Sequence, residues 1–462
     1  MKTKGAAGPD DIPPTFLKNL GPIALKELLS IFNLSLESAA CPQIWRSAII
    51  IPLLKLGKPA SKLDSYRPIS LTSCIVKALE RIIAERLYHL GEVNGWFSPL
   101  QAGFRKGRSC EDQVLKIVQA IEDGFHKSPH ERSVLVLLDF SKAYDTVWRQ
   151  KLLLSMMDLG VPDYLIRWLY GFLRNRQASV RFNGVLGAKS TFHQGLPQGA
   201  VLAPVLFIFY IENLAKLLPK STINALYADD VTIVATHKKK SKANKMAQKA
   251  VDIVIKWSKE WKLSLNASKS ESCFFTLDRH LNETQFSPTI IVDGNPIKHN
   301  PNPRLLGVIL DRELTFTPHC EEISAKMKSQ HRMLSSIAHS DWGWRKESLR
   351  PIYMAFCRSI FDYAGIAWQP WISDTNILKL EIAQNKCLRI ITGQPKRTHI
   401  ESLRLEANIP SYESKMKANL MKGREKAMRL PTDHPRRACL DQPPLVRPPP
   451  KEAPTQLPKP GY

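Results

Sequence analysis

Apolar positions recur every three to four residues in the long stretches of this chain and run unbroken in a few short ones. Leu25, Leu28, Leu29, Phe32 and Leu36 share a helical period, as do Ile75, Val76, Leu79, Ile82, Ile83 and Leu87, and then Val114, Leu115, Val118, Ile121 and Phe125. Each set predicts an amphipathic helix. Trp45 to Leu54 is an apolar, β-branched run ended by Lys55-Leu56-Gly57-Lys58-Pro59, and it reads as a strand. A second strand is predicted at Val134-Leu135-Val136-Leu137-Leu138, running straight into Asp139. Helices are expected near 149–158 and 162–175, followed by a strand pair around Asn183-Gly184. Gln194-Gly195-Leu196-Pro197-Gln198-Gly199 opens a buried helix through Val201, Leu202, Val205, Leu206 and Phe209. Ile223-Asn224-Ala225-Leu226 and Val231-Thr232-Ile233-Val234 then flank Asp229-Asp230 as a hairpin, and a long helix carries Met246, Ile253, Val254, Trp257 and Trp261.

Strands interleaved with helices in this order predict an α+β fold with helices on one face of the sheet. From about 311 the pattern is almost wholly helical, which predicts a separate all-α unit. The expected organisation is an N-terminal extension over 1–44, a mixed region over 45–310, a helical region over 311–425, and a tail over 426–462. That tail is Pro-rich (Pro443, Pro444, Pro448, Pro449, Pro450), lacks an apolar period and is expected to be disordered. No internal repeat is visible.

Charge narrows the class. Lys and Arg number 66 against 42 Asp and Glu, and the net +24 is spread along the whole length, as expected of a globular protein that meets nucleic acid. Eight scattered cysteines include no C-x-x-C pair, which argues against a zinc ribbon and for free thiols in a reducing compartment. No run reaches the roughly 20 apolar residues that cross a bilayer, and no apolar signal segment opens the chain. The expectation is an intracellular, soluble protein of the nucleus or cytoplasm, without a membrane partner.

The candidate chemistry lies in the acids. Two unit charges roughly 4 Å apart repel by about 4 kcal/mol at an effective dielectric of 20. Asp229 and Asp230 at a hairpin tip therefore share a proton or hold divalent cations, unless they are simply a solvated turn. An aspartate closing a buried strand, Asp139, together with that pair, has the makings of a two-metal phosphoryl-transfer site, with the Phe140 carbonyl as an extra ligand. Lys238, Lys239, Lys240, Lys242 and Lys245 read as an exposed basic loop. Lys326, Lys328, His331 and Arg332 fall on nearby helical turns, while Trp342, Trp344, Trp368 and Trp371 are expected in the core.

Asp139-Phe140-Ser141-Lys142-Ala143-Tyr144-Asp145, Leu196-Pro197-Gln198-Gly199 and Tyr227-Ala228-Asp229-Asp230 resemble three successive palm motifs of reverse transcriptases. Tyr66-Arg67-Pro68-Ile69-Ser70-Leu71 and Gln101-Ala102-Gly103-Phe104-Arg105 resemble fingers sequences of the non-LTR retrotransposon branch, near the Jockey-like elements. Arg304-Leu305-Leu306-Gly307 resembles the primer-grip turn, and Ile360-Phe361-Asp362-Tyr363-Ala364 with Trp368 the region beyond the thumb. The resemblance covers about 5–420 and implies a right hand of fingers, palm and helical thumb.

It also implies roles. Asp139 and Asp229 would hold two Mg²⁺ ions, with Mn²⁺ as an alternative, and Asp230 would support them. Tyr144 takes the place of a steric gate against a 2′ hydroxyl, with a core aromatic as the other reading. Gln198 and Gly199 would contact the template base and the incoming sugar, Gly199 where backbone approaches ligand. Arg67 and Lys55 would clamp the triphosphate, with Lys58 a rival to Lys55, and Lys269 would protonate the leaving pyrophosphate. The implied activity is RNA-directed DNA polymerisation, with an RNA template, a DNA primer and deoxynucleoside triphosphates as partners. No apurinic-type endonuclease fits ahead of Gly8-Pro9-Asp10 and no acidic RNase H constellation follows 420. A 5′-truncated copy or separate polymerase module is therefore expected, nicked DNA being supplied by another copy's endonuclease. An RNA-dependent RNA polymerase and a catalytically idle RNA-binding remnant stay open as alternatives.

Overall fold

A computed structural model describes residues 5–278, 286–339, 343–432 and 434–440. At its centre is a five-stranded sheet in the order Lys298–His299, Glu271–Phe275, Arg132–Leu138, Asp230–His237 and Ile223–Tyr227. All neighbours are antiparallel except the short edge pair formed by the first two. The fold class is α+β, as expected, but helices cover both faces of this sheet rather than one. Val134, Val136, Ile233, Ala235 and Phe274 point into a core shared with the helices Ala203–Leu217 and Lys240–Glu260. Leu135, Val234, Cys273 and Phe275 face the opposite way, onto the Cys110–His126 helix. The cause is legible in the strand itself. Val134-Leu135-Val136-Leu137-Leu138 is apolar at every position, and a strand without alternation is buried on both sides.

A second sheet flanks the first. Ser47–Leu54 pairs antiparallel with Tyr66–Thr72 and parallel with Arg176–Phe182. Arg176–Phe182 turns back through the two residues Asn183-Gly184 into Val185–Leu186, the hairpin that this dipeptide signals.

The region after 311 is helical, with long helices at Thr317–Ile337, Asp374–Thr392 and Tyr412–Met428. It is not a separate unit. Cys320, Ile323, Trp368, Leu380 and Leu388 belong to one core with Val114, Ile121, Leu135 and Val234, so the helical region closes the lower face of the central sheet. A continuous run of helix carries no signal of what it packs against, which is why the boundary at 311 reads as a domain break.

Three further expectations change. The boundary drawn at 426 falls inside the Tyr412–Met428 helix, and a short helix, Pro435–Leu440, docks on Cys110–His126. There Arg436 Nε and Nη2 donate to Asp112 Oδ1 and Glu111 Oε2, each at 2.7 Å. A dock made by one buried guanidinium leaves no apolar period to detect; Pro443 to Pro450 lie outside the described residues. Lys240, Lys242 and Lys245 occupy the first turns of the Lys240–Glu260 helix rather than a loop. Trp368 is core as expected and Trp371 half-buried, whereas Trp344 is 55% exposed and Trp342 lies outside the described residues. Of the eight free cysteines six are buried. Among the described residues no helix is long and apolar enough to cross a membrane.

Candidate active site

Tyr227 pairs with Asp230 across a two-residue loop, Ala228-Asp229. Such loops need a positive φ, and Ala228 adopts +56°, a conformation that costs an L-residue about 1 kcal/mol or more. The fold holds it there. Buried Gln101 grips Ala228 from both sides: its Oε1 accepts from the Ala228 N–H at 3.0 Å and its Nε2 donates to the Ala228 carbonyl at 3.3 Å. Leu226 N–H donates to Leu100 O and Ala102 N–H to Leu226 O, so 100–102 runs as an extra edge beside the hairpin. At Gly103 a Cβ would stand 2.3 Å from Ala228 N, and no other residue fits. The sequence marks Gln101-Ala102-Gly103 as a motif but assigns Gln101 no role; its task is to fix the acidic turn.

Strand register brings the third acid in. Leu138 pairs with Val231, so Asp139 emerges from the strand end beside Asp230. The backbone of Asp139 is pinned on the far side: its N–H donates to Ser270 Oγ at 3.2 Å and its carbonyl accepts from Asn266 N–H at 2.8 Å. Burial raises the Asp229 carboxyl above the usual range, the Asp139 charge adds to this, and the Arg67 guanidinium offsets it. Asp230, although it keeps a solvent-facing side, is pushed up to about 6 by burial and then by the charges of Asp229 and Asp139. The three carboxylates therefore act on one another within one field, a mutual repulsion that a cation between them would relieve.

The donors suit a hard divalent ion. Asp139 Oδ2 is buried without a hydrogen-bond partner. Lys269 Nζ stands 3.5 Å from it, an ion pair too long and too solvated to satisfy it. Among the described residues no three His, Cys, Asp or Glu side chains close into a finished metal cage. Phe140, whose carbonyl completes the expected ligand set, pairs with Leu265 and packs its ring on Trp257 at 6.1 Å.

The remaining candidates are distributed around these acids. The Tyr144 ring stacks on Phe207 at 4.6 Å, and among the described residues its hydroxyl has no hydrogen-bond partner. Burial, then the charge of Asp229, pushes that hydroxyl's pKa up. Gln198 donates from Nε2 to Asp145 Oδ1 at 2.9 Å, and its carbonyl accepts from Ser70 N–H at 2.7 Å. Position 199 requires glycine for the fold itself. With φ +119°, a Cβ there would stand 2.7 Å from Ser70 O, a close approach to the protein's own strand. Ser70, Asp145, Gln194 and Gln198 line a cleft of about 250 Å³ against the second sheet.

Arg67 lies exposed on the Tyr66–Thr72 strand and reaches the site through its charge on Asp229. Lys55 turns instead into its own hairpin loop, where Nζ donates to Asp64 O at 3.0 Å; Lys58 donates its N–H to Lys55 O there. Lys142, a residue of the Asp139–Asp145 motif given no role by sequence, pairs with Asp64 at 3.0 Å, and Lys142, Lys55 and Lys269 all hold that carboxyl below its usual range. Farther off, Leu305 pairs with Val308 around the Leu306-Gly307 turn, and Tyr363 donates its hydroxyl to Leu306 O at 2.7 Å. Two motifs noticed separately in the sequence thus form one contact.

Residues 56–310 match the family model described as reverse transcriptase (RNA-dependent DNA polymerase). The chain is 29% identical over 392 residues to the probable RNA-directed DNA polymerase from transposon X-element of Drosophila melanogaster, covering 84% of this chain and 42% of that one. It is 29% identical over 453 residues to the RNA-directed DNA polymerase from mobile element jockey of Drosophila funebris, covering 95% and 47%. The chain thus spans less than half the length of these relatives. Apo telomerase from Candida tropicalis superposes with a TM-score of 0.41 at 10% identity, over 91% of this chain and 73% of that one, a likeness too distant to carry an argument. With its acidic hairpin, its Asp139 strand and more than half its length inside the matched region, the chain belongs to the reverse transcriptase (RNA-dependent DNA polymerase) family and is similar to the polymerases of Jockey-like non-LTR retrotransposons.

Proposed function

We propose that this chain extends a primer 3′ hydroxyl with deoxynucleoside triphosphates on an RNA template. The observation that supports this most is the register that sets Asp139 beside Asp230 while the hairpin loop presents Asp229 next to it. Asp139, Asp229 and Asp230, with the Phe140 carbonyl, would hold two Mg²⁺ ions, or Mn²⁺ in their place. Bound there, the ions would activate the primer hydroxyl and neutralise the leaving pyrophosphate. The chain's own residues then have positional tasks. Gln101 keeps the Ala228 turn rigid, so that Asp229 stays aimed. Arg67, an exposed guanidinium that already acts on Asp229, is placed to fork onto a triphosphate. Lys142, Lys55 and Lys269 converge on the Asp64 carboxylate, a group that a triphosphate would displace; Lys269, also 3.5 Å from Asp139 Oδ2, is the candidate acid for the leaving group. Gln198 and Gly199 present their edge to the template base and incoming sugar. Template and primer would come from outside this chain.

Tyr144 favours deoxynucleotides over an RNA-dependent RNA polymerase, because its stacked ring cannot retreat from a 2′ hydroxyl without unstacking from Phe207. Primer extension on an RNA template, with ribo- and deoxynucleotides run side by side, tests the assignment. The wild-type chain should extend with deoxynucleotides alone; no extension in either series leaves the idle RNA-binding remnant. Tyr144→Ala should raise ribonucleotide use relative to deoxynucleotide use by about 10- to 200-fold, the range set by a small steric change in a pocket. Unchanged sugar selectivity would remove the gate.

A further inference from the structure

The segment Gln194–Leu202, which presents Gln198 and Gly199, has little regular structure of its own, yet it is held at both ends by buried ionisable side chains. At the near end, Arg149 donates only to backbone. Its Nε reaches Gly195 O at 2.8 Å, Nη2 reaches Gln194 O at 2.8 Å, and Nη1 reaches both Phe192 O and Leu173 O at 2.7 Å. Among the described residues no carboxylate acts on it; burial and then the like charge of Arg176 hold its pKa below the usual range. A buried cation without a counter-charge is costly, and carbonyl dipoles are what offset the cost here. At the far end, fully buried Glu80 accepts from Leu202 N–H at 3.0 Å, just where the Ala203–Leu217 helix begins and its free N–H groups favour an acceptor. Between these holds, Gly195 N–H donates to Val147 O at 2.9 Å and Leu196 N–H to Tyr144 O at 2.7 Å, tying the segment to the short helix Ala143–Thr146 that follows Asp139.

We propose that Arg149 and Glu80 are a pair of positioning residues that grip Gln194–Leu202 from its two ends and so set where Gln198 and Gly199 stand against the nascent base pair. This rests on the polymerase reading given above. Neither side chain touches substrate; both act through the segment. A lysine at 149 has a single nitrogen and cannot span four carbonyls, so Arg149→Lys keeps the charge and loses the grip. Glu80→Gln keeps an acceptor for Leu202 N–H, whereas Glu80→Met does not.

Two measurements on the full chain decide the matter. In hydrogen exchange, Arg149→Lys should speed the amides of Gly195 and Leu196 by about tenfold or more while strand Arg132–Leu138 stays protected. Exchange at Gly195 and Leu196 equal to wild type would overturn the proposal, whether or not the chain polymerises. In primer extension, Arg149→Lys and Glu80→Met should raise the KM for the incoming deoxynucleotide about tenfold with primer–template affinity unchanged, and Glu80→Gln should restore most of it. On a Gln198→Ala background Arg149→Lys should add less than about twofold, because it acts through Gln198. Fully additive losses would mark a merely structural arginine and sink the idea. If wild type itself fails to extend a primer, the polymerase reading falls and the exchange data alone judge the brace.

Discussion

Asp229→Asn should cut primer extension by about a thousandfold or more while leaving primer–template affinity within about twofold. Removing one anionic ligand from a two-metal centre forfeits several kcal/mol of transition-state stabilisation, and each ~1.4 kcal/mol is worth a factor of ten. Binding should survive because phosphate contacts across the basic surface, not the acids, supply most of it. The substitution is also conservative for the fold. Asparagine keeps the size of the side chain, Gln101 goes on holding the Ala228 backbone, and one source of repulsion on Asp230 is gone. The thermal midpoint of the cation-free protein should therefore not fall. Extension rates and equilibrium binding, measured on one preparation, check both halves. Equal losses in the two would contradict the role given to Asp229.

The second large effect is electrostatic. Raising salt from about 50 to 200 mM should weaken primer–template binding by roughly 10³- to 10⁵-fold, the range for six to ten phosphate contacts. The chain carries a net +24. On the Thr317–Ile337 helix the buried row Cys320, Ile323, Met327 and Leu334 faces the core, which leaves Lys328 and Arg332 exposed on the other side. Lys326 is a poorer contact, since Glu322 already takes it at 2.7 Å. Lys328→Ala with Arg332→Ala should lower the slope of log affinity against log salt by about two without altering sequence preference. A flat salt response would remove the basic surface from the account.

The elements that sequence revealed best are those whose pattern is local. The helical periods of 75–87 and 110–126, the Asn183-Gly184 hairpin and the acidic hairpin all lie where their apolar spacing puts them. What local spacing cannot express is the partner. The Val134–Leu138 run announces burial on both faces, yet nothing in it names the two layers of helix that cover it. The same limit hid Arg436, which docks the last helix through a charge pair, and Gln101, which acts on a turn 127 residues away. For the site, residue types indicated the chemistry while register supplied the convergence. Gly199 shows the difference most plainly. That a glycine stands there was legible, but the approach of Ser70 O to within 2.7 Å of a Cβ was not.

The most direct measurement is anomalous scattering from Mn²⁺ in crystals of the chain bound to primer–template and a non-reactive deoxynucleotide analogue. Two peaks held by the carboxylates of Asp139 and Asp229 are the predicted result. Peaks elsewhere, or these two side chains on separate lobes with no ion between them, would contradict the catalytic centre described above.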